Sequence, residues 1–121
     1  MAELRPDVLA TRPGPAGFHV DLRVPADLAC FPDHFPGAPM LPGVVQLNWA
    51  FELARPHFAL PPRFRQLDRL KFTRVVGPGS TISLDLSFDA ARGELSFCYR
   101  DSAGRECSSG RFGFAADGAG V

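Results

Sequence analysis

Gly43-Val44-Val45-Gln46-Leu47-Asn48-Trp49-Ala50-Phe51-Glu52-Leu53-Ala54-Arg55 is the stretch on which the fold turns. Pro42 stands just before it, where a missing N–H costs little, and Pro56 closes it. The pattern predicts a helix over 43–55, the one convincing helix in the chain. Its polar residues are few: Gln46, Asn48 and Glu52. A helix apolar nearly all round belongs inside a structure, not on its surface.

Working outward, the flanking sequence reads as strands. Phe18-His19-Val20-Asp21-Leu22-Arg23-Val24 alternates apolar and polar residues, the period of a half-buried strand. A short first strand is expected near 7–11, inside a Pro-, Gly- and Ala-rich segment covering 1–17. Four more are expected over 64–76, 81–88, 94–100 and 105–114. Gly77-Pro78-Gly79, Ala91-Arg92-Gly93 and Ser102-Ala103-Gly104 supply the turns between them. Residues 25–42 hold five prolines, too many for a helix or a central strand. The expected organisation is an N-terminal arm or strand at 1–17, one domain at 18–114 and a frayed tail at 115–121.

One buried helix among antiparallel strands has to be wrapped by their sheet. The expected class is therefore α+β, with a long central helix inside a curved antiparallel sheet of five to six strands. Such a sheet leaves an edge strand and part of the helix uncovered, so pairing with a second copy is expected.

Composition narrows the function classes. Of 121 residues, 45% are hydrophobic and 21% charged, as in a globular protein. Thirteen basic and thirteen acidic side chains cancel, which speaks against a nucleic-acid or anionic-membrane surface. Residues 1–12 lack the features of a signal peptide, and no apolar run approaches the roughly 20 residues of a membrane helix. Cys30, Cys98 and Cys107 are odd in number and lack metal-ligand spacing, so they read as reduced thiols. A cytoplasmic protein with no bound metal is expected.

Chemistry concentrates just ahead of the helix. Phe31-Pro32-Asp33-His34-Phe35-Pro36-Gly37-Ala38-Pro39-Met40-Leu41-Pro42-Gly43 places a lone histidine in a proline-stiffened loop leading to the helix start. An imidazole can take and return a proton near neutral pH. The free N–H groups around Gly43 to Val45 can hold a carbonyl oxygen as it gains charge. A glycine there also lets a ligand approach the backbone closely. Taken as residues alone, a histidine in a proline-rich loop is more often an ordinary loop residue. His19, in an alternating strand, and His57, after Pro56, receive no role.

His34-Phe35-Pro36-Gly37 followed by Leu41-Pro42-Gly43-Val44 resembles the HFPGxPxxPGV signature of the beta-hydroxyacyl-acyl-carrier-protein dehydratases. Leu41 to Ala50, LPGVVQLNWA, is closer still to the dehydratases of aryl polyene clusters. Leu70-Lys71-Phe72-Thr73-Arg74-Val75-Val76-Gly77-Pro78-Gly79 is similar to the family's third-strand KFxxPVxPGD segment, with Gly77 for Pro and Ser80 for Asp. The resemblance implies a hot-dog fold and loss of water across C2–C3 of a 3-hydroxyacyl thioester, giving a trans-2-enoyl thioester. It implies that His34 removes the C2 proton and that Gly43 donates its N–H to the thioester carbonyl. Val44, Phe35 and Pro36 would line the substrate site. The protein would need no cofactor of its own, because the acyl group rides on the phosphopantetheine of an acyl carrier protein. It further implies a dimer, identical or heterologous, with a tunnel along the interface. Arg63, Arg65, Arg69, Lys71 and Arg74 are then either a solvated strand face or a docking patch for the acidic carrier.

The pattern breaks at one place. The family has Glu or Asp fourteen residues after the histidine, where this chain has Asn48. A carboxylic acid can protonate a departing hydroxyl, whereas an amide can only hydrogen-bond to it. Losing general-acid assistance costs about two to four orders of magnitude. Three readings stay open: His34 makes both proton transfers while Asn48 orients the substrate; Glu52, or less readily Asp33, substitutes; or the chain is a weakly catalytic or non-catalytic carrier-binding subunit. An acyl thioesterase is a more distant alternative.

Overall fold

The computed structural model describes residues 5–14, 17–27 and 40–115. Strands β1 (Asp7–Gly14) and β2 (Gly17–Arg23) precede the helix α1 (Gly43–Ala54). Strands β3 (Phe64–Phe72), β4 (Thr81–Asp89), β5 (Glu94–Arg100) and β6 (Glu106–Phe114) follow it. All pair antiparallel in one six-stranded sheet ordered β1-β2-β4-β5-β6-β3. This is the hot-dog arrangement that the resemblance implies.

Alternation decides which side of the sheet meets the helix. Val20 and Leu22, then Ile82, Leu84 and Leu86, then Leu95, Phe97 and Tyr99, all point inward and are buried. They close on Val45, Trp49, Ala50 and Ala54 of α1. The residues between them face outward, and the charged ones at the centre of the sheet are tied together. His19 lies between Asp85 (2.7 Å) and Asp21 (3.0 Å), while Arg100 and Arg12 hold the far oxygens of those carboxylates. Four strands are thereby cross-linked on the outer face. His19 is thus part of the sheet's surface, and His57 stacks on Phe18 with ring centroids 4.0 Å apart.

Glycines close the turns. Gly79, Gly93 and Gly104 adopt φ of 77°, 64° and 81°, a region that side chains with a Cβ disfavour. Arg69 enters the same region (φ 55°) within an irregularity of β3 between Asp68 and Lys71. In β6, Cys107 is the extra residue where the register against β5 shifts, which turns Ser108 inward to the helix.

Three expectations change. The first strand reaches Gly14, extending the predicted 7–11, because it pairs with β2 along its whole length. Strand β3 stops at Phe72 rather than at residue 76: the Thr73 and Arg74 N–H groups both turn onto the Cys107 carbonyl. The helix is not buried all round. Val44, Asn48 and Glu52, one turn apart, form an open stripe in the single chain, with Val44 74% exposed. No helix among the described residues is long and apolar enough to cross a membrane.

Candidate active site

The start of α1 is assembled from three parts of the chain. Leu41 is fixed first, its N–H donating to the Val76 carbonyl at 2.6 Å. Pro42 follows in an extended conformation (φ −62°, ψ 148°) and caps the helix without any side-chain hydrogen bond. Its carbonyl accepts the N–H groups of Val45 and Gln46, both at 3.1 Å. The N–H groups of Gly43 and Val44 find no backbone acceptor among the described residues. No acidic side chain occupies the first turn to quench them. Among the described residues, two donors at the positive end of a helix are therefore left for an oxygen that carries or gains negative charge.

Gly43 borders a cavity of about 400 Å³ lined by Met40, Leu41, Pro42, Gly43, Gln46 and the segment 72–75. Its wall is mostly apolar, and the described lining includes no carboxylate. A Cβ on Gly43 would come within 2.7 Å of Cζ of Phe72. The space that the glycine leaves is thus taken by this half-exposed ring, not by an open approach path. Arg74, at the rim, donates to the Glu106 carbonyl at 3.0 Å.

Of the residues singled out in the sequence, Gly43 and Val44 sit at this helix start and Asn48 lies one turn further along the open stripe. His34, Phe35 and Pro36, with Asp33, lie outside the described residues. Glu52 continues the stripe toward solvent and pairs with Arg55 at 3.3 Å, so it points away from the cavity's chemistry. Sequence reasoning missed Gln46 and the covering role of Phe72. Gln46 shares its helix face with the buried Trp49 and Ala50, and that spacing of three and four was the available signal.

Other reactive groups are held silent. Burial raises the Cys98 thiol to about 11 and pushes the Cys107 thiol up as well. Burial also raises the Tyr99 phenol, whose O–H donates to the Gln46 main-chain carbonyl at 2.7 Å. The described residues include no cluster of three His, Cys, Asp or Glu side chains suited to a metal.

A positive helix end opening on an apolar cavity within a hot-dog sheet invites comparison with known proteins. Residues 12–111 match the family described as ApeI-like: ApeI dehydratase. The chain belongs to the ApeI-like dehydratase family. Among solved structures, this ApeI-like chain is similar to one in "The Dehydratase Heterocomplex ApeI:P from Xenorhabdus doucetiae" (27% identity, TM-score 0.81, covering 90% of this chain and 96% of that one). It is also similar to an uncharacterized protein from Erwinia carotovora subsp. atroseptica, with 31% identity and a TM-score of 0.76 over 93% of this chain and 97% of that one. A 3-hydroxyacyl-[acyl-carrier-protein] dehydratase FabZ of Oenococcus oeni is 35% identical over 72 residues, 54% of this chain. The chain spans about half the length of the two curated FabZ relatives it matches, 52% and 50%.

Proposed function

We propose that this ApeI-like protein dehydrates a 3-hydroxyacyl thioester, delivered by acyl carrier protein, to the trans-2-enoyl thioester, in a fatty acid or polyene type of biosynthesis. The observation that carries this reading is the helix start, where the N–H groups of Gly43 and Val44 have no backbone acceptor among the described residues and Gly43 lines an apolar cavity. A thioester carbonyl set against them gains charge as C2 loses its proton. One such donor supplies roughly 3–4 kcal/mol to that charged state. His34 is assigned as the base: it takes the C2 proton, the C2–C3 double bond forms, and the C3–O bond breaks. The hydroxyl leaves as water with the proton that His34 returns, while Asn48 orients it by hydrogen bonding. Val44, Phe35 and Pro36 are assigned to the acyl path. No resident cofactor is needed, since neither electrons nor groups are exchanged beyond water.

The carrier partner has a matching surface. Arg65, Arg69, Lys71 and Arg74 are all exposed along and beyond β3, and Asp68 between them is neutralised by Arg111 at 3.0 Å. A basic strip ending at the cavity rim suits an acidic carrier.

The direct test is hydration of a crotonyl or longer enoyl thioester, followed by loss of the enoyl absorbance. Turnover by the wild type and none by a folded His34→Ala variant is the expected result. Activity that persists in His34→Ala would remove the histidine from the mechanism.

A second reading has its own support. Asn48 supplies no acid, and the solved Xenorhabdus relative is a dehydratase heterocomplex. In that reading this chain binds the carrier and a different hot-dog subunit supplies the missing group.

A further inference from the structure

The one polar side chain that α1 turns into the core is Gln46, only 3% exposed. Burying an amide is unfavourable unless its donors and acceptor are matched. Its carbonyl Oε1 accepts the Ser108 hydroxyl at 2.6 Å, and Ser108, on β6, is itself fully buried. Its Nε2 donates to the Leu41 main-chain carbonyl at 3.2 Å. A carbonyl can only accept, so this contact fixes which end of the amide faces Leu41.

That carbonyl lies before the helix and outside its hydrogen-bond ladder, which begins at the Pro42 carbonyl. Pro42 offers no N–H with which to pin the junction. Leu41 is therefore clamped on both sides: by Val76 on its N–H and by Gln46 on its C=O. The peptide plane next to that carbonyl's carries the Gly43 N–H. Because Ser108 belongs to the sheet, the Ser108–Gln46–Leu41 chain refers the helix start to the sheet.

We propose that Gln46 is a positioning residue: its buried amide holds the Leu41–Gly43 junction so that the Gly43 N–H presents to the cavity. The effect on turnover rests on the reading of Gly43 as the carbonyl donor, but the geometry does not.

The test uses a double variant, Gln46→Met with Ser108→Ala, so that no buried hydroxyl is left unpaired and the core stays apolar and filled. Amide exchange at Leu41 and the ¹H–¹⁵N resonance of Gly43 are compared with wild type. The expected result is faster exchange at Leu41 by tenfold or more and a displaced Gly43 resonance, with cooperative unfolding kept. Turnover falls through kcat by about ten- to a hundredfold, the scale of a misplaced group, while KM changes little. Gln46→Glu is expected to keep the largest fraction of the wild-type kcat, compared at the same pH, at low pH, where a neutral carboxyl can donate to Leu41 in the amide's place. An unchanged Leu41 exchange rate and Gly43 resonance in the double variant overturns the proposal whatever the activity. A loss confined to KM overturns it as well. Displaced amides in a protein whose wild type has no turnover keep the clamp and remove the dehydratase reading instead.

Discussion

Asn48 sits on the open stripe of α1 one turn from Val44 and the N–H groups at the helix start. Its side chain is close in volume to aspartate, so Asn48→Asp exchanges one amide nitrogen for an oxygen without repacking the helix. A carboxyl at this position can donate the proton that an amide cannot. We expect Asn48→Asp to raise dehydration at least tenfold, a barrier lower by about 1.4 kcal/mol, read as kcat/KM on a 3-hydroxyacyl thioester. An equal rate from an active wild type would leave His34 as the sole proton carrier. Val44 and Gln46 show how far single residues were legible. By polarity the valine belongs inside and the glutamine outside, yet Val44 is exposed and Gln46 buried. Helical phase, not polarity, decides: residues 45, 46, 49 and 50 share the inward face, and Gln46 is accommodated because Ser108 and Leu41 complete its hydrogen bonds. The loop of His34 offered no such phase to read, and there the motif alone carried the assignment.

The elements were legible wherever alternation was clean. Strands β2, β4 and β5 fall where the two-residue period puts them, and α1 runs between Pro42 and Pro56 as those prolines dictate. Strand β3 was less so, because its end is set by Thr73 and Arg74 bonding to Cys107, a contact with a residue far along the chain. The β2–β4 pairing supplies one prediction. A Cβ on Gly17 would fall on the Leu86 carbonyl, a backbone atom that cannot swing aside as the Phe72 ring can beside Gly43. Gly17→Ala should therefore destabilise by about 1–3 kcal/mol, the cost of overpacking, seen as a lower urea midpoint with unchanged slope. The β3–β6 pairing supplies another. The Arg111 hydrogen bond holds Asp68 below its ordinary value of 3.8, against some desolvation. A depressed carboxyl adds stability that is fully present above the unfolded value and is lost as pH falls through the folded one. Urea midpoints should thus decline below pH 3.8, and Asp68→Asn should flatten that decline. An acid limb identical in the variant would show that the pair adds nothing.

At the scale of the whole molecule the two sheet edges differ. Strand β1 ends the sheet with Pro13 and with charge pairs, Asp7 with Arg23 and Arg12 with Asp21, devices that blunt an edge against pairing. Strand β3 ends it with Phe64 and Phe72 about half exposed, and Val75 lies open just beyond. Phe72 also covers Gly43 and lines the cavity, so the apolar edge runs into the functional site and toward the open stripe of α1. Large apolar side chains left exposed at a sheet edge are characteristic of an interface. A partner laid along β3 would pair its free backbone groups, cover Phe64 and Phe72, and close the cavity on its open side. We expect light scattering at micromolar concentration to give twice the 13.1 kDa chain mass. Phe72→Glu places a charge in that interface and should yield a folded monomer without turnover, since the cavity is then left open. A wild type that is monomeric and folded alone, but doubles in mass with a second hot-dog chain, would mean that the edge is built for a different subunit. Asn48 would then face a group that the other chain supplies.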